Sequence, residues 1–153
     1  MKKIILSSLI SLMFINTVAI AKVANNSIDA QVQKLITKQT VWQENDEGRK
    51  FRQMVQNKSK TLGDFNNDGL TDTMVSVGFC ESVHCKDTQS TENYIFLNKG
   101  KNQYQLAQTL SYGGYPKITF KGNVLTLSSV YGKGETEITN FVWSNSSNNF
   151  EAQ

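Results

Sequence analysis

The chain has 153 residues, with 16 Lys and Arg against 13 Asp and Glu and a formal net charge of +3. Lys2 and Lys3 carry part of that excess; setting these two aside leaves 14 basic residues against 13 acids, so no basic face recommends nucleic acid as a partner. One proline, two cysteines and no Ser/Gly-rich tract give no sign of a linker or a second domain.

In chain order, the N-terminus reads first as a secretory signal. Lys2 and Lys3 form the positive start, Ile4–Ile20 is uncharged and largely apolar, and Ala19-Ile20-Ala21 supplies small residues for cleavage. Ser7, Ser8, Ser11, Asn16 and Thr17 interrupt the apolar run, which argues against a stable membrane span. The division expected is a signal peptide over 1–21 and a single domain over 22–153, long enough to bury a core. Lys22 rather than Cys would follow the cut, so no lipid anchor is expected. No second apolar stretch approaches spanning length, and the expected location is periplasmic or secreted.

The first third of the remaining chain has helical spacing. Val32, Leu35 and Ile36 fall at i, i+3 and i+4, with Ser27 or Asp29 as a cap. Phe51, Met54 and Val55 repeat the spacing after Gly48, and Arg49, Lys50 and Arg52 read as a solvated helix face. From Lys60 the pattern becomes that of strands. Thr73–Phe79 alternates, and Asn93–Leu97 ends at the turn Asn98-Lys99-Gly100. Tyr104–Leu110, Ile118–Phe120, Val124–Val130 and Glu137–Trp143 follow, separated by turns at Gly113-Gly114, Lys121-Gly122-Asn123 and Gly132-Lys133-Gly134. The fold expected is α+β, mostly β: a bent or partly closed antiparallel sheet of about six strands, with one or two N-terminal helices.

Between helix and strand patterns lies Gly63-Asp64-Phe65-Asn66-Asn67-Asp68-Gly69-Leu70-Thr71-Asp72, with the spacing D-x-N-x-D-G-x-x-D. Calcium takes roughly six to eight oxygen ligands in a flexible shell. Side-chain oxygens at every second residue can supply them. Asp64, Asn66 and Asp68 do so, Leu70 offers its backbone carbonyl, and Asp72 closes the loop directly or through water. Gly69 stands where the chain turns sharply. Position twelve is Val75 instead of the bidentate Glu of an EF-hand, and a strand follows instead of a helix. The affinity expected is therefore that of extracellular modules, roughly 10⁻⁴–10⁻³ M. A metal-free turn is the alternative, since Asp, Asn and Gly favour turns on their own account.

The same ten residues, running into Thr73–Val77, resemble the calcium loop and following strand of FG-GAP (VCBS-like) repeats. The match occurs once, and a propeller needs several blades. A nearer resemblance is to single-domain periplasmic proteins with one such loop, among them the calcium-dependent immunity proteins of Xanthomonas, which block peptidoglycan hydrolases. That resemblance implies a Ca2+ cofactor, a peptidoglycan hydrolase as protein partner, and the ligand set Asp64, Asn66, Asp68, Leu70 and Asp72. It assigns no inhibitory residue.

Cys80 and Cys85 are the only cysteines, and in an oxidising compartment a disulfide is the natural reading. Cys80, His84 and Cys85 lack a fourth zinc ligand at the usual spacing. A Cys–His nucleophilic pair fails because sequence neighbours rarely face one another productively. Glu81, Asp87, Glu92, Glu135 and Glu137 have no spacing that singles out a glycosidase pair. No nucleophile elbow or phosphate-binding glycine loop occurs. Trp42, Tyr112, Tyr115, Tyr131 and Trp143 could stack on sugars, though aromatics at strand positions more often pack a sheet. The function expected is that of a non-enzymatic, calcium-binding inhibitor or immunity protein, with a carbohydrate-binding or surface-adhesion module as the alternative.

Overall fold

Ser27 begins the described chain. Its hydroxyl accepts the Ala30 N–H at 3.2 Å and so caps the helix α1 (Ile28–Gln39), satisfying one of the amides that a helix start leaves without a partner. Asp29 does not cap; it stands in the first turn, where a negative charge suits the helix dipole, and reaches Lys60 at 3.1 Å. Val32 and Ile36 are buried, and Leu35 packs beside them. This is a computed structural model, and it describes residues 27–44, 46–81, 85, 88–131 and 134–153. The expected signal peptide 1–21, His84, Asp87 and the turn residues Gly132 and Lys133 lie outside the described residues. Among the described residues no helix is long and apolar enough to cross a membrane.

Among the described residues nine strands follow: β1 (Trp42–Glu44), β2 (Lys50–Gly63), β3 (Asp72–Glu81), β4 (Ser90–Asn98), β5 (Tyr104–Gly113), β6 (Lys117–Lys121), β7 (Val124–Tyr131), β8 (Glu135–Ser144) and β9 (Asn149–Ala152). They form two curled antiparallel sheets, β1-β2-β3-β4-β5 and β6-β7-β8-β9. The described chain is mostly β, as expected, but among the described residues it has nine strands instead of about six, in two sheets instead of one, and one helix.

The second expected helix is instead strand β2. Phe51, Met54 and Val55 have helical spacing only by coincidence. The register of β2 against β3 shifts between Val55 and Asn57, and this bulge breaks the two-residue alternation that marks a strand. Met54 and Val55 are also exposed, so no buried face advertised the strand. Arg49, Lys50 and Arg52 are accordingly hairpin residues. Arg49 pairs with Glu47, and Arg52 lies 5.2 Å from the ring centre of Trp42.

β3 and β4 explain the layering. Strand side chains alternate between faces, and both faces of β3 are buried. Val75, Val77 and Phe79 of β3, with Tyr94 and Phe96 of β4, pack against Val32 and Ile36 of α1. Met74, Ile95 and Leu97 face the other way, into a core with Leu125, Leu127, Trp143 and Phe150 of the second sheet. The helix, the five-stranded sheet and the four-stranded sheet thus stack in that order.

Two contacts join the sheets at their margins. Gln108 of β5 behaves as a strand partner for β9: its amide donates to the Phe150 carbonyl at 3.1 Å and accepts the Phe150 N–H at 2.7 Å. At the other margin Gly63 lies so close to Phe120 that an added Cβ would meet the ring at 2.6 Å. That approach brings the end of β2, and the loop that follows it, over β6.

Candidate functional site

The loop from Asp64 to Thr71 links β2 to β3, and the D-x-N-x-D-G-x-x-D residues fall within it and at the first position of β3. It is organised by its own side chains. Asp64 takes two backbone amides, Asp68 N–H at 3.0 Å and Gly69 N–H at 2.9 Å, one on each oxygen. Asn66 Oδ1 accepts the same Asp68 N–H at 3.2 Å, and its Nδ2 donates to Asp68 Oδ2 at 2.9 Å. Asp68 Oδ1 accepts Leu70 N–H at 2.8 Å. Gly69 has φ +83°, in the left-handed region, with open space where a side chain would go. Glycine is required there by backbone angle, not by crowding.

These bonds gather the Asp64 and Asn66 oxygens around the Asp68 amide and bring the Asp68 carboxylate against Asn66. An oxygen that accepts one N–H keeps a second lone pair, so all three retain capacity for a hard cation. The donors are oxygens throughout, as calcium prefers. Asp72 is held by backbone amides from outside this cluster. It is wholly buried, and its carboxylate accepts Phe65 N–H at 2.9 Å and Asn98 N–H at 2.8 Å. Asn98 Nδ2 in turn donates to the Thr71 carbonyl at 3.1 Å. Asp72 therefore ties the loop's first turn to the end of β4. Among the described residues no three His, Cys, Asp or Glu side chains gather as a metal-binding group. The grouping present is of two carboxylates with the Asn66 amide oxygen, a donor chemistry of the kind calcium takes.

Burial pushes the Asp72 carboxyl up from the usual carboxylate range. The Asn98 and Phe65 amides pull it down, and the nearby Asp68 and Asp64 charges push it up again. A divalent cation in the loop would offset that like-charge push.

Beside the loop lies a cleft of about 620 Å³. Asp64, Phe65, Asn66 and Asn67 form one side; Phe120, Gly122 and Asn123 of the β6–β7 hairpin form another. Trp143 and Asn145 close it, with Trp143 Nε1 donating to Asn145 Oδ1 at 3.1 Å. Phe65 meets Phe120 edge-on, with ring centres 4.8 Å apart. The sequence reading missed this cleft. Its only local signals are the turn at Gly122-Asn123 and the polar run Asn145-Ser146-Ser147-Asn148.

Cys80 and Cys85 are at disulfide distance, with Cα atoms 5.1 Å apart. The candidate aromatics do not share one role. Trp143 is buried, and Tyr112 is half-buried with its hydroxyl 3.3 Å from Thr139 Oγ1. Tyr115 is exposed and donates to Ser59 Oγ at 2.8 Å. Trp42 is exposed beneath Arg52 and beside a second hollow of about 750 Å³, contrary to the expectation that these aromatics pack the sheet. Tyr131 ends β7.

Comparison with family models, with curated proteins and with solved structures finds no match.

Proposed function

We propose that this is an exported, non-enzymatic protein that holds calcium in the loop Asp64–Asp72 and inhibits a cell-wall-degrading enzyme, as an immunity protein or lysozyme-type inhibitor. The observation that carries the calcium part is the cluster in which Asp64 and Asn66 oxygens share the Asp68 amide while the Asp68 carboxylate accepts the Asn66 NH2. The cation's role is structural: it fixes the corner between β2 and β3, with Asp72 holding that corner to β4. Three features support an inhibitor: the secretory N-terminus, the short loop beyond β3 stapled by Cys80 and Cys85, and the loop's resemblance to that of calcium-dependent immunity proteins. A peptidoglycan hydrolase is the proposed protein partner, met in the periplasm or outside the cell.

The test has two stages. Thermal melts of the exported chain in calcium and in EDTA come first. Calcium at one hundred times its dissociation constant should add about 2.7 kcal/mol, and Asp68→Ala should remove the gain. Inhibition of peptidoglycan hydrolases, with and without calcium, comes second. An unchanged melt would sink the metal site, and a hydrolase panel left fully active would sink the inhibitor.

A further inference from the structure

We infer that the cleft between the Asp64–Asp72 loop and the β6–β7 hairpin is a binding site for a neutral saccharide. Its volume of about 620 Å³ lies within the range usual for small-ligand sites, about 300–1,000 Å³. Its walls have two chemistries. Phe120, half-buried, supplies an apolar surface suited to the C–H face of a sugar ring, backed by the buried Phe65 and Trp143. Around them stand four asparagines, 66, 67, 123 and 145.

The rim selects the ligand class. A carboxamide offers donors and an acceptor side by side, the complement of neighbouring hydroxyls that must both give and take hydrogen bonds. Asn66 and Asn145 use part of that capacity within the protein. Asn67 and Asn123 are exposed, and among the described residues their side chains make no hydrogen bond. Among the described residues no Lys, Arg or His lines the cleft, and Asp64 is its single charged group. An anionic ligand would find a carboxylate and no cation. A purely apolar ligand would strip water from the asparagines without replacing their hydrogen bonds. A neutral, hydroxyl-rich ring satisfies both walls.

This site goes beyond the inhibitor reading and does not depend on it. It does share Asp64 and Asn66 with the proposed metal loop, so calcium and saccharide should alter each other's affinity by the same factor if both bind.

Two substitutions test it without disturbing the fold. Asn67 has φ +59°, so Asn67→Gly removes the amide while keeping a permitted backbone angle. Asn123→Ala removes the other. The chain contains two tryptophans, and Trp42→Phe leaves Trp143 in the cleft as the sole tryptophan, excited apart from the tyrosines at the red edge. Triacetylchitotriose and cellotriose serve as neutral probes and polygalacturonate as the anionic control, each titrated to about 10 mM in calcium and in EDTA. A neutral probe should give a saturable change in Trp143 emission and shift the Asn67 and Asn123 side-chain amide signals in NMR. Asn67→Gly/Asn123→Ala should weaken binding about tenfold or more, the loss expected for two neutral hydrogen bonds, at an unchanged urea midpoint. No saturable change with either neutral probe, equal response to polygalacturonate, or undiminished binding by the double variant would each overturn the site. A double variant that binds no hydrolase, in a protein blind to both sugars, would give the cleft to a protein partner instead.

Discussion

Replacing Asp72 separates the skeleton of the loop from its proposed cation. In EDTA, Asp72→Ala leaves the Phe65 and Asn98 amides without their acceptor. A buried group left unpaired costs about 1–3 kcal/mol. The Phe65 amide is fully buried and carries the upper part of that range; the Asn98 amide is only partly buried, and water can replace some of its bond. Against this, burial already raises the Asp72 pKa, so removing the carboxylate also removes a desolvation cost. The bonds still win, and a net loss of about 3 kcal/mol is expected. Asp72→Asn keeps one acceptor but turns an NH2 toward the other amide, for a loss of about 2 kcal/mol. Asp68→Ala should cost less than about 1 kcal/mol in EDTA, because its bonds are exposed. In calcium the contrast changes: Asp68→Ala loses the whole metal increment, while Asp72→Asn keeps much of it. Urea unfolding with linear extrapolation measures each value. If Asp68→Ala in EDTA proves as damaging as Asp72→Ala, the roles given to these two carboxylates are wrong.

Three other outcomes follow from the packing. Tyr94 is buried with no hydrogen-bond partner for its hydroxyl among the described residues, and burial, with Glu92 adding, holds its pKa up to about 12. Tyr94→Phe should therefore stabilise by about 1 kcal/mol in a urea melt; a loss of that size would mean the hydroxyl has a partner. Gly63→Ala should cost about 1–3 kcal/mol, since its methyl would meet Phe120 at 2.6 Å and Phe65 at 2.9 Å. Phe120→Leu should recover part of that cost in the double variant, and strict additivity would refute the clash. Asp29 is held below its usual pKa by its hydrogen bond to Lys60, then by the charges of Lys60 and Lys58. A depressed carboxyl contributes stability above its unfolded pKa and loses it as pH falls through the folded value. Asp29→Asn should accordingly cost about 0.2–1 kcal/mol near neutrality, shrinking below about pH 3.8 and in high salt; a cost that stays constant to pH 3 would refute the ion pair.

The elements that were legible are those whose neighbours in sequence are also neighbours in chemistry. β3 and β4 bury both faces but sort their side chains between two cores, and each of β3 to β8 carries enough apolar residues between turns to be recognised. β1 has three residues, all exposed, and so has no pattern to read. β2 has a bulge and exposed apolar residues, which together imitate a helix. β9 points only Phe150 inward after a polar turn. In each case the strand exists because a partner supplies the ladder, and a partner is invisible to local periodicity.

The same distinction divides the site. Every proposed cation ligand lies within nine residues of chain, so spacing alone could nominate the loop. Spacing could not say that Asp72 is engaged elsewhere, because Asn98 comes from the end of β4, 26 residues away. Nor could it show the cleft, assembled from residues 64–67, 120–123 and 143–145. Those segments meet because Gly63 has no side chain where β2 crosses Phe120, and because Phe65, the residue whose amide Asp72 holds, packs edge-on against Phe120 and Phe150. Asp72 thus fixes the Asp64–Asp72 loop and the aromatic wall of the cleft through one hydrogen bond. A perturbation at Asp72 should reach the cleft through Phe65, whereas one at Asp68 should reach it through the two hydrogen bonds it shares with Asn66.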